Sequence, residues 1–263
     1  MRYTYDNSSA NEDNPHRPPQ LVMVGPRSTD EMGNLLLQVL PRSTADGLAL
    51  AAASATHQAE TNVAAAEMLV RRTPDDAEQQ RFLGSSYADI GRIDDAIRHL
   101  ERALQLDPRL SSAHNDLGGA FLLARRPQDA LPRFQEAVKW APGDERLRYN
   151  LGKVLDGLGR AAEAAQAFRQ AIAINAEFAD AHDGLGVVLF SQNRLAEAIA
   201  EFRRAVELAS DSAFMENDLA GALAQTGQYV EALVHVRRAL ALRPDYEPAR
   251  ENLARLERMI KYP

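Results

Sequence analysis

Cysteine is absent from this chain of 263 residues, which excludes disulfides and thiolate metal sites and leaves the redox compartment open. Aromatic residues are scarce, at 6% with a single tryptophan, and alanine is abundant, a balance that favours closely packed helices over sheets. There is no basic excess. The net charge of −7 offers no overall positive field to hold nucleic acid or an anionic membrane. No apolar run approaches the roughly 20 residues of a membrane span. The stretch 1–20 lacks the basic-then-apolar order of a signal peptide, so a cytoplasmic location is expected. Asn7-Ser8-Ser9 matches a glycosylation acceptor, and without secretion it is read as chance.

What is present is a 45% apolar fraction, enough for a core, distributed in three stretches. Residues 1–42 are rich in Asn, Pro and Ser without sustained periodicity and are expected to be mostly disordered. One apolar piece there, Met32–Leu40, could form a helix after Thr29-Asp30-Glu31. Residues 43–73 are alanine-rich and helical in propensity, with Ser43 and Thr44 as caps. From about residue 74 the chain falls into a register of 34 residues.

Counting units from residues 77, 111, 145, 179 and 213 aligns six columns. Position 7 holds Leu83, Leu117, Leu151, Leu185 and Leu219. Position 8 holds Gly84, Gly118, Gly152, Gly186 and Ala220, and position 11 holds Tyr87, Phe121, Leu155, Leu189 and Leu223. Position 20 is Ala96, Ala130, Ala164, Ala198 and Ala232. Position 24 is Leu100, Phe134, Phe168, Phe202 and Val236, and position 27 is Ala103, Ala137, Ala171, Ala205 and Ala239. Positions 7, 8 and 11 share a face of one helix, and 20, 24 and 27 a face of a second. Small residues at 8 and 20 let the two backbones approach, and the large ones fill the space beside them. Gly91, Gly159, Gly227 and Asn193 fall between the helices, where a helix end needs a left-handed residue. Pro108, Pro142 and Pro244 close three units. One hairpin buries about four large side chains at roughly 1.5–3 kcal/mol each. Ordering its residues costs about 1–2 kcal/mol apiece for backbone alone. A lone unit cannot stand, and stacking is the remedy.

This pattern resembles the tetratricopeptide repeat over roughly residues 74–263. The resemblance implies an all-α, right-handed superhelical solenoid of antiparallel helix pairs, the first helix of each pair lining a concave groove. It departs from the family at position 4, where tryptophan gives way to Gln80, His114, Arg148, His182 and Glu216, and at Ala176 and Ser210, where proline is usual. Pro132 falls early in a second helix, which is expected to start late or bend. A sixth first helix over about 247–260 exposes Arg250, Arg255, Glu257 and Arg258, a polar face suited to capping. At the other end, the register puts Pro74 at position 32 but fits Leu50, Asn62 and Ala66 poorly. A degenerate helix pair over 43–73, acting as N-terminal cap, is favoured over one long helix.

Catalytic patterns are missing. There is no phosphate loop, no HExxH, no GxSxG and no GxGxxG, and no cofactor or metal is expected. His114 and His182 lie two units apart, beyond metal-bridging reach. These two, with His99 and His235 on outer faces of second helices, are read as solvated or partly packed. Asp94-Asp95 is read as helix capping, and Trp140 as packing between repeats.

The resemblance assigns positions 2, 5, 9 and 12 of the first helices to the groove. On this chain they include Arg81, Asn115, Leu122, Arg146, Tyr149, Lys153, Asp180, Asp183, Val187, Phe190, Phe214 and Asn217. Leu122, Tyr149, Val187, Phe190 and Phe214 are expected to form an apolar track, the mark of a partner site. The alternative is that Leu122, Val187 and Phe190 pack against the neighbouring first helix or the N-terminal segment folded back. The carboxylate-gripping clamp of some family members is not expected, since Ser85 and Asp116 stand where it needs asparagine, although Arg81, Arg146 and Asn150 partly match. The leading expectation is a non-catalytic scaffold binding a peptide or helix of another protein. Two alternatives stand beside it: self-association through Met32–Leu40 into a homo-oligomer, and service as accessory to an enzyme on another chain. RNA is disfavoured by the acidic balance.

Overall fold

The computed structural model describes residues 21–23, 37–39 and 44–261 and divides into two units, Met1–Ala65 and Ala66–Pro263. In the first unit, β1 (Leu21–Met23) and β2 (Leu37–Val39) pair antiparallel with Leu21 opposite Val39. The helix expected over Met32–Leu40 is thus replaced by a strand at Leu37–Val39. There the apolar-polar-apolar alternation of Leu37-Gln38-Val39 has the period of a strand. The rest of that stretch, the Ser43 cap, the Asn7 motif and most of the segment expected to be disordered lie outside the described residues.

A single helix, α1 (Thr44–Arg72), stands where a degenerate pair was favoured. The reason is local. At position 15, where the later units place a residue of positive φ, this stretch carries His57, and no glycine or proline follows until Pro74. Nothing stops the helix.

The second unit is an all-α solenoid in the expected register. Its first helices are α2 (Ala77–Asp89), α4 (Ser111–Leu123), α6 (Glu145–Gly157), α8 (Ala179–Ser191) and α10 (Ala213–Gln225). Each is followed by its partner: α3 (Ile93–Leu106), α5 (Pro127–Trp140), α7 (Ala161–Ile174), α9 (Leu195–Leu208) and α11 (Tyr229–Leu242). A last helix, α12 (Glu247–Lys261), closes the stack, with Arg250, Arg255, Glu257 and Arg258 all exposed. Pro132 does not delay its helix. Pro127 takes the first turn, where its missing N–H costs nothing, and α5 begins at the same position as every other second helix.

Every first helix ends alike. The residue at position 15 is left-handed at Gly91, Arg125, Asn193, Gly159 and Gly227, with φ between 57° and 79°. The N–H of the next residue returns to the carbonyl at position 11, as in Arg92 to Tyr87 (2.9 Å) and Arg126 to Phe121 (2.8 Å). This is the Schellman closure. Arg125 is the one long side chain in that column and carries a Cβ where glycine has none. Arg125→Gly is therefore expected to stabilise the protein by roughly 0.5–1 kcal/mol, read as a raised midpoint in thermal denaturation followed by circular dichroism.

Between the helices of a pair, the glycine at position 8 receives the large residue at 24. A Cβ added to Gly84 would lie 2.6 Å from Leu100, to Gly118 2.8 Å from Phe134, to Gly152 2.6 Å from Phe168, and to Gly186 2.7 Å from Phe202. In the fifth unit the smaller Val236 stands opposite Ala220, so the two columns vary together.

On the opposite face the residues replacing tryptophan at position 4 make a second ladder. Gln80 Nε2 donates to the Pro74 carbonyl (2.8 Å), Arg148 Nη2 to that of Pro142 (2.7 Å), and Arg250 Nε to that of Pro244 (2.9 Å). His114 and His182 lie 3.1 and 3.2 Å from the carbonyls of Pro108 and Ala176. Thus a polar side chain reaches back six residues to hold the turn between repeats. Gln80 and His182 also meet position 23 across the pair, with His99 2.8 Å from Gln80 and Glu201 2.7 Å from His182, and Glu216 has its own position-23 partner in His235 at 2.6 Å. His114 and His182 are buried, and His99 and His235 half-buried, so none is a solvated outer-face histidine. Trp140 keeps Arg109 of the preceding turn 5.1 Å over its ring, a contact between repeats.

Candidate functional site

The inner wall is built by α2, α4, α6, α8, α10 and α12. Its backbone is a chain of rungs in which position 5 of one helix meets position 6 of the next, 35 residues on. Arg81 Nη1 donates to Asp116 (2.8 Å), and Ser85 Oγ to the same carboxylate oxygen (2.7 Å). Asn150 Nδ2 donates to Asn115 Oδ1 (2.8 Å), and Asn252 Nδ2 to Asn217 Oδ1 (2.8 Å). Arg81, Asn115, Asn150 and Asp116 are thereby engaged with one another.

The third rung, Tyr149 with Gly184, is apolar. Phe168 fills the space left by the glycine, and Tyr149 packs 5.8 Å from its ring and 5.3 Å from that of Phe178. Burial pushes the Tyr149 hydroxyl up to about 12, with Asp180 and Asp183 adding to the shift. Tyr149 is therefore half-buried structure rather than open track, with Lys153 Nζ 5.5 Å over its ring.

The fourth rung pairs Asp183 with Asp218. Burial first, then the charges of Asp218 and Asp180, raise Asp183 to about 7, and burial raises Asp218 also. Asp183 Oδ1 is buried without a hydrogen-bond partner.

Two cavities open on this wall. One of about 510 Å³ lies between α2, α4 and α6, with Leu122 and Lys153 on its rim and Ser85, Asn115 and Asn150 among its lining. The other, about 600 Å³, lies between α8, α10 and α12 and is lined by Val187, Phe190, Phe202, Gly221, Met259 and the polar Asn217, Asp218, Asn252 and Arg255, among others. Leu122 is 40% exposed, Val187 38% and Phe214 52%, although Phe214 has Tyr246 4.9 Å away. Arg146 is exposed, with its N–H on the Asp144 cap. The apolar track of the sequence reading is thus two apolar patches separated by the Tyr149 rung. The reading missed position 6 altogether, with Asn150, Asp218 and Asn252. Polar residues recurring one place after position 5, in the middle of otherwise apolar helices, were the available signal.

Models of the tetratricopeptide repeat match residues 47–109, 83–145 and 149–213. The chain belongs to the tetratricopeptide repeat family. No curated protein sequence matches it. Among solved structures, the array is similar to YrrB, described as a TPR protein with an unusual peptide-binding site, at 21% identity and a TM-score of 0.57 over 71% of this chain and 96% of that one. It is similar to PilF of Pseudomonas aeruginosa at 21% identity and 0.58, over 71% and 93%. It also matches a chain of the APC/C hetero-tetramer Cut9–Hcn1 at 20% identity and 0.67, over 84% of this chain and 44% of that one. Likeness at this level shares the TPR fold. No described helix is long and apolar enough to cross a membrane.

Proposed function

We propose that this TPR array is a non-catalytic scaffold whose concave wall binds an extended or helical segment of another protein. The observation that carries this reading is the 600 Å³ cavity on the inner wall, with Val187 exposed at its edge and Phe214 exposed on the same wall. Seating one large apolar side chain of a partner there contributes about 1.5–3 kcal/mol, and an aromatic or aliphatic anchor in such a pocket is the usual source of affinity. The peptide-binding site named for YrrB and the hetero-tetramer named for Cut9–Hcn1 support a protein partner on this fold.

The test is selection of a random dodecapeptide library on the full chain, followed by fluorescence anisotropy with the peptides recovered. Val187→Glu and Phe214→Ala are exposed positions and are expected to leave the helical circular dichroism intact while weakening binding about tenfold or more. Peptides that bind both variants as well as the parent would reject the groove.

A further inference from the structure

The fourth rung of the inner ladder does not follow the rule of the others. Arg81 with Asp116 joins opposite charges, and the Asn115–Asn150 and Asn217–Asn252 rungs join neutral amides by direct hydrogen bonds of 2.8 Å. At the equivalent place, between α8 and α10, the 35-residue register puts two carboxylates, Asp183 and Asp218. Asp116 shows what a satisfied carboxylate looks like on this wall, accepting from Arg81, Ser85 and Asn115. Asp218 accepts only a long bond from its neighbour Asn217 (3.4 Å). Asp183 has a buried oxygen with no donor. Asp180, one turn before it, is exposed. Among the described residues none of these three carboxylates forms an ion pair. Leaving such groups uncompensated costs free energy that a cation supplied from outside recovers. Asp218 also forms part of the wall of the 600 Å³ apolar cavity.

We infer that the C-terminal half of the groove selects a partner segment with a lysine or arginine beside a large apolar residue, the cation seated on Asp183 and Asp218 and the apolar side chain in the adjoining cavity. This rests on the groove reading proposed above and adds the chemistry of the occupant. The charge complementarity is local. Arg255 on the cavity's far side is engaged with Asn252 (2.8 Å), and Lys153 sits over Tyr149. The cation offsets the negative charge of the pair from the groove side, where Asp218 lines the cavity, while the other rungs, already satisfied, hold the two helices at fixed spacing.

The dodecapeptide selection decides this through the composition of what it recovers. Recovered sequences are expected to be enriched in Lys or Arg next to Leu, Phe, Met or Ile. For a chosen binder, replacing its basic residue by Gln should weaken binding about tenfold or more, as removal of a partner from a buried charge pair does. The Asp183→Asn/Asp218→Asn protein should lose the same factor and no longer distinguish Lys from Gln. Because the peptide change leaves the protein untouched, the result does not depend on how the variant folds. Binders without basic enrichment, or with a preference that survives the double substitution, overturn the charge assignment and leave the groove reading standing. Absence of any binder sensitive to Val187→Glu overturns both. A dimer in light scattering that Val187→Glu dissociates would assign the wall to a second copy of the chain and likewise overturn the inference.

Discussion

Asp183→Asn is expected to stabilise the folded protein at alkaline pH, with a gain that shrinks to nothing as pH falls below the ordinary carboxylate range. In the folded chain Asp183 is raised from 3.8 to about 7. Between those values the folded state holds a proton that the unfolded state has released. Stability is then lost as pH rises through this window, because folding must either retain that proton or bury a second negative charge beside Asp218. Above about 7 the loss is complete. At 1.36 kcal/mol per pH unit it amounts to an effect on the order of 2–4 kcal/mol. Every contribution has the same sign. Asp180 on the same helix and Asp218 on α10 both oppose ionisation. From α6, Tyr149 stays protonated across the window, and α7 and α9 turn the rings of Phe168 and Phe202 toward α8. Asparagine there introduces no side chain foreign to this wall, since the second and fifth rungs already join amides at 2.8 Å. Urea unfolding of parent and variant across the window checks it. The difference should grow with pH and level off above about 7, whereas a constant or shrinking difference would show that burial and the neighbouring charges do not hold the Asp183 carboxyl above its ordinary range. A protein keeping so costly a pair on an otherwise satisfied wall fits the general tension between stability and a working site.

The solenoid was legible because its determinants are short-range and repeated five times over. Leucine at 7, small residues at 8 and 20, and a left-handed residue at 15 each state a local steric need, and the helices begin where those columns predict. Arg125 escaped because its conformation is imposed by the Schellman bonds on either side rather than by its own preference. The strand at Leu37–Val39 and the unbroken α1 were misread where the repeat gave no help and only weak local propensity remained. The inner wall was half legible. Leu122, Val187 and Phe214 are exposed. Tyr149 is not, because its burial depends on Gly184 and Phe178, contacts 29 and more residues away that no single helix records. Asp218 was invisible for the same reason. Its partner Asp183 lies in the preceding repeat, and a rung is a property of two helices. The position-4 ladder shows the same limit: His182 is chemically unremarkable in sequence, and its role comes from Glu201 and the Ala176 carbonyl.

Phe168→Ala is expected to cost about 3–5 kcal/mol, the range for an aromatic removed from a packed core. It should cost more than Phe202→Ala. Phe168 is 2% exposed and is the largest of the fully buried side chains. Its ring lies against Gly152 of its own repeat and against Gly184 of the next, where an added Cβ would come within 2.6 and 2.8 Å of it. Among the described glycines, Phe202 meets only Gly186. Removing Phe168 therefore empties space on both sides of the boundary between the third and fourth repeats, and takes from Tyr149 the ring 5.8 Å away that supports it. In a stacked array each repeat is held by its neighbours, so weakening one boundary lets the two sides melt separately. Thermal denaturation of Phe168→Ala should show a lower and broader transition, with hydrogen exchange accelerated first in α6 and α8. A loss equal to that of Phe202→Ala, or a transition as sharp as the parent's, would mean that Phe168 serves its own helix pair alone. The polar rungs would then be what joins the repeats, and not the ring wedged between two glycines.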